Sequence, residues 1–128
     1  MAQISALNPR LVVSDAAGAI AFYVAAFDAQ ETERHTDERG KIVHAEVTVG
    51  PARLAIKDED DGDPSPSTLG GTPVIIAIVV ESADAVAEAM LAHGGSVVFP
   101  IHDTEYGIRG GRLADPYGHH WMIHQKAS

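Results

Sequence analysis

The chain has no cysteine, so disulfides, thiolate metal sites and a cysteine nucleophile are excluded. Aromatic residues are few: one Trp, three Tyr and three Phe in 128 positions leave the core to alanine and aliphatic side chains. Basic residues are also scarce. Nine Lys and Arg stand against 18 Asp and Glu, a formal charge of −9, which repels phosphate backbones and argues against a nucleic-acid partner. A cationic or neutral small molecule is the easier guest. No apolar run approaches the ~20 residues of a membrane span. The opening Met-Ala-Gln-Ile-Ser lacks the basic and apolar regions of a secretory leader, so we expect a cytoplasmic protein with no membrane contact. A phosphate-binding Gly-rich loop ending in Lys-Ser/Thr, a Gly-x-Ser-x-Gly elbow and a His-Glu-x-x-His pair are all missing.

What the chain does contain is an approximate copy of itself. Leu11-Val-Val-Ser-Asp-Ala-Ala-Gly-Ala-Ile20 reads like Ile78-Val-Val-Glu-Ser-Ala-Asp-Ala-Val-Ala87. Gly50-Pro-Ala-Arg-Leu-Ala-Ile56 stands against Gly118-His-His-Trp-Met-Ile-His124, with one residue inserted between the two matching blocks. A chain of this length buries one core, not two. The copies must therefore share one domain: module one over about 1–57, a linker over 58–71 and module two over 72–128. A functional site is expected where the copies face each other.

Within module one the pattern predicts a strand over about 6–13, a helix over 16–27 capped by Ser14 or Asp15, and strands over about 29–36, 42–49 and 52–57. Ile20, Tyr23, Val24 and Phe27 recur at helical spacing and are expected in the core. The stretch 58–71 has no apolar period and is dense in Asp, Pro and Gly, which reads as a solvated linker. It lacks the acidic twelfth position of an EF-hand loop. Module two repeats the order: a strand over about 74–80, a helix over 83–93, then strands over about 97–101, 108–114 and 120–124. Asp115-Pro-Tyr-Gly118 turns the chain before the last of them. The fold class is α+β, two tandem β-α-β-β-β modules.

This order, with Ala19-Ile-Ala-Phe-Tyr23 on the first helix and Asp115-Pro-Tyr-Gly-His-His-Trp121 before the last strand, resembles the vicinal oxygen chelate superfamily. That superfamily includes glyoxalase I, extradiol dioxygenases, fosfomycin-resistance enzymes and bleomycin-binding proteins. Gly40-Lys-Ile-Val-His-Ala-Glu46, Gly70-Gly-Thr-Pro-Val74 and Tyr106-Gly-Ile-Arg-Gly110 are similar to its PhnB-like branch. The resemblance covers almost the whole chain. It implies a curved mixed sheet around a central small-molecule cavity, helices outside, and a homodimer. It also implies a divalent metal held by four side chains, two from each module, whose positions fall on Asn8, Glu46, Ile75 and Met122. Only Glu46 is a good hard-metal ligand; Ile75 has no donor atom, Met122 offers a thioether and Asn8 is a weak substitute. The first expectation is therefore a small-molecule-binding protein with no fixed metal or other cofactor, sequestering a drug or metabolite as bleomycin-binding members do.

Two alternatives stay open. Side chains two apart on a strand share a face, so His44 accompanies Glu46, and His120 and His124 flank Met122. These four residues can converge on one divalent metal, Zn, Ni or Fe, and serve a lyase, isomerase or dioxygenase. In the other alternative, Glu46 acts without metal as a general base whose pKa is raised by an apolar cavity, unless Arg10 or Arg112 neutralises it. In Tyr106-Gly-Ile-Arg-Gly-Gly111, Tyr106 can stack on a ligand and Arg109 can bind an anionic group, or the segment is a hairpin loop. The expected ligand-lining residues are Asn8, Arg10, His44, Glu46, Tyr106, Arg109, His120, Met122 and His124. Trp121 points to the opposite, helix-facing side and is expected in the core.

Overall fold

A computed structural model describes residues 2–127. The elements run β1 (Arg10–Val13), α1 (Ala16–Phe27), β2 (Gln30–Thr36), β3 (Ile42–Val49), β4 (Ala52–Asp58), α2 (Pro66–Leu69), β5 (Ile75–Val80), α3 (Ala83–Ala92), β6 (Ser96–Asp103), β7 (Arg109–Ala114) and β8 (His120–Gln125). The α+β class and the two β-α-β-β-β modules are those expected. Both long helices begin on a capping side chain: Asp15 accepts from the Gly18 amide and Ser82 from the Ala85 amide. The first strand starts at Arg10, not near residue 6. Pro9 has no N–H to give to a ladder, although its carbonyl accepts from the Ala55 amide at 3.0 Å.

Each module forms its own four-stranded sheet, ordered β1-β4-β3-β2 and β5-β8-β7-β6. The β1–β4 and β5–β8 pairs are parallel and the others antiparallel. The two sheets share one register. Leu11 pairs with Ile56 and Ile56 with Ala45; in the second sheet Ile78 pairs with Ile123 and Ile123 with Gly111. Ile56 thus corresponds to Ile123, one residue away from the His124 suggested by aligning Gly50 with Gly118. The same register makes Ala55 the counterpart of Met122, Glu46 the counterpart of Arg112, and Glu33 the counterpart of Phe99.

One face of each sheet is covered by helix. Leu11, Val13, Ala45, Val47, Leu54 and Ile56 meet α1, while Leu113, Trp121 and Ile123 line the covered face of the second sheet. Because α1 packs on α3, the two covered faces merge into one core. Trp121 reaches across the junction, its ring centroid 4.7 Å from that of Phe27 and 5.5 Å from that of Tyr23. Val24, expected in the core, is 43% exposed, and Phe22 is buried instead. Contact with α3 as well as with its own sheet turns the buried face of α1 towards Ala19, Phe22 and Ala26.

Acids at the end of β4 and in the stretch after it bond to the rest of the fold. Asp58 closes β4 and accepts from the Ala16 amide at 2.7 Å and the Ile42 amide at 2.8 Å. The ammonium of buried Lys57 lies 2.7 Å from both Asp60 and Asp63, and Glu59 accepts from Ser65 and Thr68 at the start of α2. An ammonium and helix-start amides at the core margin need acceptors, and the acids supply them.

Candidate functional site

The sheet faces away from the helices are open, and their chemistry differs. On the first sheet, His44 and Glu46 share a face of β3, with His44 Nε2 3.4 Å from Glu46 Oε2. Arg53, two residues along β4 from the cross-strand partner Ala55, places Nη1 3.8 Å from Glu46 Oε1. The arginine beside Glu46 is therefore neither Arg10 nor Arg112. Arg10 donates to the Val43 carbonyl at 3.0 Å, and Arg112 stands on the other sheet. The Glu46 side chain is 20% exposed and lies among polar groups, not in an apolar cavity.

Glu33, which the sequence reading missed, joins this group. A bulge in β2 sets it opposite Glu46, and ligand atoms of Glu33, His44 and Glu46 all lie within 4.8 Å of one another. A hydrogen bond with the Glu46 carboxyl, and then one with His35, hold Glu33 below the usual carboxylate range. No periodic signal marks Glu33, because every residue of β2 is exposed.

On the second sheet the open face carries His120, Met122 and His124 from β8, with Ile75, Ala77 and Val79 beside them on β5. A cavity of about 210 Å³ opens here, walled by Phe99, His102, Thr104, Arg112, Met122 and His124. Gly110 and Gly111 form its floor. A Cβ on Gly110 would collide with the Ile123 carbonyl oxygen, and one on Gly111 would lie 2.7 Å from the carbonyl oxygens of Phe99 and Pro100. These glycines let β7 sit close between its neighbours. Arg112 is the direct cross-strand partner of Met122. Its guanidinium carbon lies 5.3 Å from the Phe99 ring centroid, and its Nε is buried with no hydrogen-bond partner among the described residues.

Tyr106 sits 83% exposed on the β6–β7 turn, which Thr104 closes by accepting from the Ile108 amide. The segment is a hairpin loop. Arg109 turns to the helix side, donating to Asp84 on α3 at 2.8 and 3.0 Å and to Asp103 at 3.1 Å. Asp84, then Asp103, raise its pKa further. Asn8 is exposed before β1, beside a surface groove with Leu7 and Arg53. The set His44, Glu46, His120 and His124 is divided, two on β3 and two on β8 of a different sheet.

The residues present do not fit the metal that the resemblance implies. Ile75 offers no donor, and Met122 stands opposite Arg112 on the neighbouring strand, where a fixed cation disfavours a divalent ion. The counterpart of Met122 in the first sheet is Ala55, which has no donor either.

Two fused β-α-β-β-β modules with open sheet faces define the class of protein. Residues 3–123 match the Glyoxalase/Bleomycin resistance protein/Dioxygenase superfamily, and the chain belongs to it. The uncharacterized protein Mb0911c of Mycobacterium bovis is 42% identical over 125 residues, spanning 94% of this chain and 82% of that protein. Among solved structures, protein PA1353 from Pseudomonas aeruginosa is similar with a TM-score of 0.78 at 24% identity, covering 95% of this chain and 98% of that one. The PhnB protein from Bacillus cereus follows with a TM-score of 0.74 at 19% identity, covering 94% and 98%. Both share the fold. No helix among the described residues is long and apolar enough to cross a membrane.

Proposed function

We propose that the protein binds a small organic molecule on the open face of its second sheet without a fixed metal, sequestering a drug or metabolite in the cytoplasm as a homodimer. The observation that carries this reading is the Arg112–Met122 pair, which puts a permanent cation beside a position where the family resemblance expects a metal ligand. The cavity next to it and the exposed apolar Ile75, Val79 and Phe99 supply the surface for an organic guest. The test is a thermal-shift screen of a small-molecule library against the full chain, run with and without EDTA. Stabilisation by the same compounds in both conditions supports the reading. Stabilisation that disappears with EDTA contradicts it.

A second reading rests on the Glu33, His44 and Glu46 group, which presents two carboxylates and an imidazole to a divalent Zn, Ni or Fe. Under it, the protein is a lyase, isomerase or dioxygenase whose activity is lost on chelation and restored by one metal. If Glu46 instead serves as a metal-free base, Glu46→Gln abolishes turnover and leaves binding nearly intact.

A further inference from the structure

We propose that Arg112 anchors an oxyanion subsite: the cavity on the second sheet takes a small organic acid, its carboxylate on the Arg112 guanidinium and its apolar body against Phe99 and Met122. This deepens the small-molecule reading above and rests on it.

A buried donor with no acceptor destabilises the fold that holds it, and Arg112 Nε is such a donor. Other arginines in this acidic chain have found acceptors: Arg10 uses the Val43 carbonyl, Arg34 pairs with Glu31, Arg53 with Glu46, and Arg109 with Asp84 and Asp103. No ion pair involving Arg112 occurs among the described residues. Among the described residues no carboxylate lines the cavity either; its other polar side chains are His102, Thr104 and His124. His102 donates from Nδ1 to the Pro100 carbonyl, an acceptor only, which fixes that tautomer when the ring is neutral. Inside a chain of charge −9, the pocket is therefore locally cationic. Local charge, not the net charge, decides what it attracts.

The two modules make the point by contrast. Where the first sheet pairs Glu33 with Glu46, the second pairs Phe99 with Arg112 at the corresponding positions. Stacking on Phe99 supports the guanidinium plane while leaving N–H groups at its edge for a planar carboxylate. The cavity, about 210 Å³, is small beside ordinary drug sites and suits a single-ring monocarboxylate.

The experiment is a titration of the ¹⁵N-labelled full chain in EDTA with benzoate and with its neutral analogue benzamide, following the Arg112 Nε–H and the Gly110 and Gly111 amides by NMR. Arg112→Lys identifies the Nε–H signal by its loss. Benzoate is expected to shift that signal in a saturable way, benzamide to bind at least tenfold more weakly, and Arg112→Gln to lose at least tenfold in benzoate affinity. Should Arg112→Gln not fold, the wild-type signal and the Arg112→Lys affinity, expected between the two, carry the test. Equal binding of both probes, indifference to Arg112→Gln, or no binding of benzoate overturns the subsite. So does a signal that tracks protein concentration instead of benzoate, because a carboxylate of a second copy would then occupy Arg112. If neutral library compounds still perturb the cavity, small-molecule binding stands without the subsite. If no compound does, both fall.

Discussion

Asp115 accepts a 2.6 Å hydrogen bond from the Tyr23 hydroxyl, tying the first helix to the last hairpin across the junction between the modules. The same carboxylate takes the Trp121 indole N–H at 3.0 Å and the amides of Tyr117 and His119 at 2.9 and 3.0 Å. All four partners donate and the group is only 3% exposed. A carboxylate satisfies all four. An amide of the same shape must aim its NH₂ at donors. Asp115→Asn is therefore expected to lower stability by about 2–4 kcal/mol, more than the roughly 1 kcal/mol of Tyr23→Phe, as read by urea unfolding. Equal effects of the two substitutions would count against this assignment.

The same contact predicts an alkaline limb. Burial, and then the Asp115 carboxylate, push the Tyr23 hydroxyl well above the ordinary tyrosine range. The unfolded chain ionises this group near pH 10. Below that pH the contribution of Tyr23 is whole; above it the unfolded state gives up a proton that the folded state keeps, and stability falls as pH rises. Tyr23→Phe should flatten the decline above pH 10 by up to about 1.4 kcal/mol per pH unit, leaving a smaller slope from Tyr117, which burial also raises. An unchanged slope in the variant would show that Tyr23 ionises freely.

On the first sheet, Glu33 should titrate below the ordinary glutamate range, because hydrogen bonds donated by the Glu46 carboxyl in its protonated form, and then by His35, favour its ionised state. Removing the first partner with Glu46→Ala should bring Glu33 back towards that range. Carbon-13 NMR of the side-chain carboxyls reads both values. Identical titration of Glu33 in the two proteins would mean that the carboxyl pair does not form.

The glycine floor of the second-sheet cavity makes a fourth prediction. Gly110→Ala drives a Cβ into the Ile123 carbonyl and to 3.1 Å from the His124 ring, and should destabilise the protein by about 1–3 kcal/mol. Gly107→Ala meets open space and strains only a φ of +78°, for about 1 kcal/mol. Denaturant midpoints should rank the two in that order.

Much of the architecture was legible because two copies of one pattern report on each other. The Leu11 and Ile78 blocks predicted matching strand-helix units, the turn at Asp115–Gly118 is where expected, and Trp121 is in the core. The departures have physical causes. Val24 and Phe22 exchange places because α1 also packs on α3, a partner that helical periodicity does not name. Asp60 and Asp63 are half-exposed and still hold the Lys57 ammonium, a pairing that composition does not name. At the open faces, Glu46 and His44 were found together because residues two apart share a strand face. Glu33 and Arg53 reach Glu46 only through strand pairing, and a bulge such as that in β2 shifts register without a mark in the sequence. From the sequence Arg112 is marked only as a partner for Glu46, because its place beside Met122 depends on the β7–β8 register.

The metal content of the protein tests the central claim most directly. Elemental analysis of the full chain, purified without chelator or affinity-tag metal, should find divalent ions well below one per chain, with library compounds still binding that material. One tightly held divalent ion per chain, required for binding, would contradict the account.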